Sequence, residues 1–112
     1  MSSLSAQAPA RDPAPIFAAL GDRTRLSLLA KLSGGEARSI ASLSAGAGLT
    51  RQAVTKHLHV LEGAGLVRSL KVGRESRFAY RAEPLDEARA YLDAVSAQWD
   101  DALARLKAFV EI

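Results

Sequence analysis

Leu85, Ala88, Leu92, Val95, Trp99, Ala102, Leu106 and Phe109 follow one another at alternating spacings of three and four residues. This is a heptad seam sustained over more than three heptads, and it predicts a single amphipathic helix that Pro84 opens and that runs to about Glu111. At ~1.5 Å per residue, such a helix extends about 42 Å. The whole chain has 112 residues, which is one domain by the usual size prior. A domain this small buries a limited core, and pairing with a second copy would add apolar burial. The long helix overhangs a body whose other helices are short.

Those other helices are marked by capping chemistry. Asp12 with Pro13 starts a first helix that places Ile16, Ala19 and Leu20 on one face and stops at Gly21. Asp22 caps a second, over roughly 23–33, with Leu26, Leu28, Leu29 and Leu32 as its apolar stripe and Gly34-Gly35 at its end. Ser39 caps a short third helix over 39–46, with Ile40 and Leu43 inward and Gly46 and Gly48 closing it off. Thr50 caps a fourth over 50–62, where Val54, Leu58 and Leu61 fall at i, i+4 and i+7 before Gly63-Ala64-Gly65. Leu66 to Val72 and Ser76 to Arg81 then read as two strands joined through Gly73-Arg74-Glu75. Residues 1–11 mix Ser, Ala, Pro and Gln without periodicity and read as a disordered tail. The expected division is a tail over 1–11 and one domain over 12–112 that ends in a dimerisation helix over 84–111. The expected class is mainly α with a small β-hairpin, in the order α-α-α-α-β-β-α.

Charge is distributed unevenly along this framework. The net charge is +3, yet residues 50–81 carry seven basic side chains (Arg51, Lys56, Arg68, Lys71, Arg74, Arg77, Arg81) against Glu62 and Glu75. Residues 82–112 carry three basic and seven acidic side chains. A positive centre followed by an acidic helix suggests that the centre meets a polyanion.

The central segment also has the form such a surface needs. A short helix, a tight turn at Gly48-Leu49, a capped amphipathic helix and a basic hairpin make a helix-turn-helix with a wing. The buried stripe of the fourth helix leaves Arg51, Gln52, Thr55, Lys56 and His59 outward. Arg51 suits guanine O6 and N7, and Gln52 suits adenine N6 and N7. Thr50, Thr55 and Lys56 suit phosphates at the positive end of a helix. His59 sits at the groove edge. Lys71, Arg74 and Arg77 on the hairpin suit the backbone or a minor groove. The expected partner is double-stranded DNA.

The stretch TRQAVTKHLHVLEGAGLV, residues 50–67, resembles the recognition helix of the ArsR/SmtB family of bacterial repressors. Thr55, Lys56, His57, Leu58, Leu61, Ala64, Gly65, Leu66 and Val67 stand where that family's pattern has them. LGDRTRLSLLAKL, residues 20–32, resembles its second-helix signature, with Arg23 where Pro is common. The likeness covers about residues 13–111. The Pro-Leu start, mid-helix Trp and acidic face of the last helix resemble the metal-independent branch. The resemblance implies a winged helix-turn-helix repressor that is a homodimer built on its first and last helices. Ile16, Leu20, Leu85, Leu92, Val95, Trp99 and Leu106 are the expected dimer contacts, and an inverted-repeat operator is the expected target.

Other chemistries find little support in the residues. The chain has no cysteine, which removes disulfides, thiolate metal sites and thiol redox sensing. Asp86, Asp93 and Asp100 lie seven apart, so successive carboxylates are ~10 Å distant and too far apart for one ion. Arg89 lies three residues after Asp86 and four before Asp93, and Arg105 lies four after Asp101, so helical ion pairs are the expected role of these carboxylates. His57 and His59 point to different sides of one helix and lack the i, i+4 spacing of a zinc pair. No nucleophile–base pair or phosphate-binding glycine loop occurs, so neither enzyme activity nor a cofactor is expected. No apolar run approaches the ~18–20 residues that cross a bilayer, and the start lacks a signal-peptide pattern; the cytoplasm is the expected compartment. Two alternatives remain at this level. One is a winged-helix module that works through protein contacts, with the acidic helix as its surface. The other is an effector-responsive repressor in which Trp99 and Tyr91 line a pocket for an apolar ligand near the dimer seam.

Overall fold

The computed structural model describes residues 12–111; the tail read over residues 1–11 lies outside them. Helix α1 (Ala14–Leu20) is followed by α2 (Arg23–Leu32), strand β1 (Arg38–Ser39), α3 (Ile40–Ala47), α4 (Arg51–Gly63), strands β2 (Val67–Val72) and β3 (Glu75–Tyr80), and α5 (Glu83–Glu111). The expected order is present with one addition. The two-residue β1 pairs antiparallel with β3, placing Arg38 opposite Phe78 and Ser39 opposite Arg77. The sheet therefore has three strands in the order β1-β3-β2, and the wing is anchored to the residue that caps α3.

Local chemistry sets most of the boundaries. Asp22, Ser39 and Thr50 each adopt extended backbone, and each side chain accepts from the N–H three residues on, which satisfies one orphan donor per helix. Asp12 serves α1 from one position further out than expected: its Oδ1 accepts from Ala14 N at 3.0 Å, and Pro13 is the cap residue. Gly46 lies inside α3, and Gly48 alone ends it with a left-handed φ of 66°, which makes the tight turn into α4 possible without a Cβ penalty. Helix α4 closes in a Schellman motif. Leu66 N donates to Leu61 O at 2.9 Å and Gly65 N to Glu62 O at 2.9 Å, while Leu61 and Leu66 are fully buried together.

The core is one cluster. Ile16 and Ala19 of α1, Leu28, Leu29 and Leu32 of α2, Leu43 of α3, Val54, Leu58 and Leu61 of α4, Leu66, Val67 and Phe78 of the wing, and Ala88 of α5 make it up. Each fully buried leucine or valine contributes roughly 1.5–3 kcal/mol relative to exposure. Leu26, expected in the α2 stripe, is 49% exposed. Leu28, Leu29 and Leu32 already fill the inward arc, and Leu26 lies outside it.

Helix α5 is anchored only at its start. Pro84 and Ala88 are buried, and Leu85 is partly buried against the core. Tyr91 meets Phe17 of α1 with ring centroids 6.0 Å apart, tilted by 58°. None of residues 91–111 is buried. The seam residues Leu92, Trp99, Leu106 and Phe109 are more than half exposed, as are Leu103 and Val110 beside them. The apolar stripe is thus present along the helix and uncovered in the single chain.

Candidate nucleic-acid interface

Helix α4 is held rigidly from beneath. Val54, Leu58 and Leu61 have no exposure at all. A second attachment was not legible in the sequence: a polar joint that ties α4 to the α1–α2 corner. Arg25 Nε donates to Ala19 O at 2.7 Å and its Nη2 to Ala18 O at 3.2 Å, so the guanidinium closes the end of α1. Its Nη1 lies 3.3 Å from His57 Nδ1, a contact that suits the imidazole tautomer with its proton on Nε2. Asp22 Oδ2, already the cap of α2, lies 3.8 Å from the same nitrogen. His57 is therefore a packed, positioning imidazole. Its partners are on average more than thirty residues away in the chain. The Asp22 carboxyl is held below its ordinary value of 3.8, first by the backbone N–H of Arg25 and then by the charge of Arg25.

The opposite side of α4 is open. Thr50, Arg51, Gln52, Ala53, Thr55, Lys56 and His59 line one broad depression of about 840 Å³. Arg51, Gln52, Lys56 and His59 are exposed, and among the described residues no carboxylate pairs with Arg51 or Lys56. The structure thus gathers the side chains expected to face DNA on α4 onto one surface. Two hydroxyls differ in what they offer. Thr50 Oγ1 accepts from Ala53 N at 3.1 Å, so its own proton stays available to a phosphate. Thr55 Oγ1 donates to Arg51 O at 2.7 Å, so its proton is committed inside the helix.

The wing is a two-residue hairpin. Val72 pairs with Glu75 across Gly73-Arg74. Gly73 has φ 65° and no non-glycine residue described has positive φ, so φ is positive at the first central residue only, as in a type II′ turn. Arg74 is thereby projected at the tip, and Lys71 beside it is exposed. Arg77 is not free: its Nε donates to Glu75 Oε1 at 2.8 Å. At the far end of α4, Glu62 accepts from Ser69 Oγ at 2.9 Å, which directs that carboxylate toward the wing base and away from Arg51 and Gln52.

The expected dimer residues divide into two groups. Ile16 is 3% exposed, so its side chain belongs to the protomer core. Leu20 and Leu85 are partly buried against the same core. Leu92, Trp99 and Leu106 present open apolar surface, and Val95 is partly covered. Tyr91 sits on Phe17, and the shallow depression at Trp99 is lined by Gln98 and Ala102 in the single chain. Among the described residues no group of three or more His, Asp or Glu side chains converges as metal ligands would. No helix among them is long and apolar enough to cross a membrane.

A capped helix presented outward by a preceding helix and a tight turn, with a basic hairpin beside it, defines a winged helix-turn-helix DNA-binding domain. Comparison with known proteins agrees. A helix-turn-helix domain family matches residues 20–69. The HTH-type transcriptional regulator YuzN of Bacillus subtilis (strain 168) is 41% identical over 76 residues, which are 62% of this chain and 83% of YuzN. An ArsR-like transcriptional regulator from Rhodococcus sp. RHA1 superposes with a TM-score of 0.76 at 41% identity, over 85% of this chain and 89% of that one. The homodimeric winged helix-turn-helix domain of Mb0332 from Mycobacterium bovis, a possible ArsR-family regulator, shares the fold with a TM-score of 0.60 at 24% identity, over 91% of this chain and 86% of that one. The chain belongs to the ArsR-type winged helix-turn-helix transcriptional regulators.

Proposed function

We propose that this protein is a homodimeric repressor that reads an inverted repeat in double-stranded DNA and needs no metal to do so. The observation that carries the reading is the two-sidedness of α4. One side is fully buried, and the other sets Arg51, Gln52, Lys56 and His59 together in an open depression. A helix with bidentate side chains at its start is suited to base edges, and Lys71 and Arg74 of the wing, unpaired among the described residues, are suited to phosphates. Arg77 joins them through the nitrogens that Glu75 leaves open. Base reading is thus assigned to Arg51 and Gln52, and positioning to Thr50, Lys56 and the wing. Thr55 contributes shape rather than a donated proton.

The homodimer is supported by the uncovered seam of α5. Leu92, Trp99, Leu106 and Phe109 stand in one heptad register, and the single chain buries none of them. Two copies would bring two α4 helices to major grooves about one helical turn apart. Metal independence is supported by the absence of cysteine from the sequence and of histidine from α5. Binding, not catalysis, is the activity, and the cytoplasm is its place.

Selection from random duplex DNA with the purified, metal-free chain tests this reading. The expected product is an inverted repeat with half-sites one turn apart, bound with a steep salt dependence. No enriched motif, together with weak binding to every duplex, would contradict it and turn the search toward protein partners.

A further inference from the structure

A second depression lies where β1 meets the wing, and it shares no lining residue with the one on α4. It has a volume of about 420 Å³ and is lined by Glu36, Ala37, Arg38, Ser39, Ser42 and Arg77. The short strand β1 builds it by setting Ser39 opposite Arg77 on β3. Arg38 Nε is buried and has no hydrogen-bond partner among the described residues. A buried donor without an acceptor is costly, and more so on a charged group, so such an atom calls for an explanation. Arg77 is held at the wall through its Nε by Glu75, which leaves its terminal nitrogens without partners among the described residues. The Ser42 backbone N–H is already satisfied by Ser39 Oγ at 3.1 Å, and the Ser42 hydroxyl remains.

We propose that this depression is a phosphate site in which Arg38 and Arg77 together hold a backbone phosphodiester of the bound DNA, outside the base pairs read by α4. The inference rests on the DNA-binding reading above. Arg38 Nε is shielded from solvent as the side chain stands, and an anion in the depression would let the guanidinium turn that donor toward an acceptor; planar guanidinium groups match phosphate oxygens well. The lining holds two guanidinium groups and the one carboxylate of Glu36. With Glu75 paired to Arg77 from beside the lining, two guanidinium groups stand against two carboxylates, and that balance suits the single charge of a phosphodiester better than the higher charge of free phosphate. The site is also continuous with the wing, because Arg77 belongs to both and Arg74 lies three residues along the same hairpin.

The test uses the full chain and the duplex that it selects, with a scrambled duplex beside it. Arg38→Gln should reduce the slope of log K against log salt by about 0.9 per protomer, or about 1.8 for a dimer. The loss should be the same on both duplexes. Glu36→Gln, at an exposed position ahead of β1, should tighten binding on both. A folded Arg38→Gln variant with an unchanged slope overturns the proposal, and so does a Glu36→Gln variant of unchanged affinity. Inorganic phosphate titrated against the Arg38 Nε–H signal separates the sources. A shift at millimolar phosphate, with a salt slope independent of Arg38, would make the site a free-anion site and overturn the assignment to DNA. A wild-type chain that binds no duplex at low salt would overturn the DNA reading itself, which is a different result from binding that ignores Arg38.

Discussion

Trp99→Asp should weaken self-association by well over tenfold. Trp99 is 64% exposed in the single chain. An aromatic side chain carries roughly 150–250 Å², so about 100–160 Å² of it per protomer is available for a partner to cover. At ~25 cal/mol per Å² this is roughly 2.5–4 kcal/mol per protomer, and twice that for a symmetric pair. Covering only half of the available surface leaves about 2.5 kcal/mol at stake at the low end, which is roughly sixty-fold in the dimer Kd. The introduced carboxylate also has to be desolvated or left in water, which adds to the loss. Trp99 contributes nothing to the protomer core, so the body of the domain should keep its fold. Sedimentation velocity over a concentration series reads the Kd directly. A variant dimer as tight as the wild type would refute the placement of Trp99 on the seam and, with it, the use of α5 as the dimer helix.

Three further outcomes follow from the same structure. Arg74→Ala should lower affinity equally for all duplexes and flatten the salt slope by about 0.9 per protomer, as read by titration at several salt concentrations; an effect confined to one sequence would contradict a positioning role. Leu58→Ala should cost about 2–5 kcal/mol in chemical unfolding, because Leu58 is fully buried beneath the reading face; a loss below 1 kcal/mol would show that the core under α4 is not packed as described. Asp22→Asn keeps a good cap residue but removes the charge. Because folding lowers the Asp22 carboxyl below 3.8, its contribution is fully present above that pH and is lost as pH falls through the folded value. The wild type should therefore exceed the variant in thermal stability near neutrality, with the gap closing below about pH 4; a gap unchanged down to pH 2 would remove the charge from the account.

What could be read from the residues was what depends on neighbours in the chain. The caps at Asp22, Ser39 and Thr50 are bonds over three residues, and side-chain type alone announces them. The α4 stripe and the α5 seam are periodicities, and both stand in the structure. The misses depend on contacts between distant segments. Strand β1 has two residues and no alternation of its own; it exists because β3 comes to pair with it. Leu26 could not be separated from Leu28, Leu29 and Leu32 until the neighbours of α2 defined which arc faces inward. Ile16 shares a face with Ala19, and only the packing of α1 shows how deeply this face enters the protomer core. The joint of Asp22, Arg25 and His57 spans thirty-two residues between Arg25 and His57, so neither end hints at the other. The same holds for the candidate DNA face: its members were legible from the helical period, but the commitment of the Thr55 proton, the pairing of Arg77 with Glu75 and the orphaned Nε of Arg38 appear only in three dimensions.

The central claim is that the exposed face of α4 reads bases. It is tested most directly by the ratio of affinities for the selected duplex and a scrambled one, measured at a single salt concentration for the wild type and Gln52→Ala. A bidentate contact of a side chain with a base discriminates by about 1–3 kcal/mol, so the ratio should fall by roughly five-fold to more than a hundred-fold per half-site while binding to the scrambled duplex stays nearly constant. If both affinities fall together and the ratio holds, Gln52 is not reading a base, and the account of α4 as the reader is contradicted.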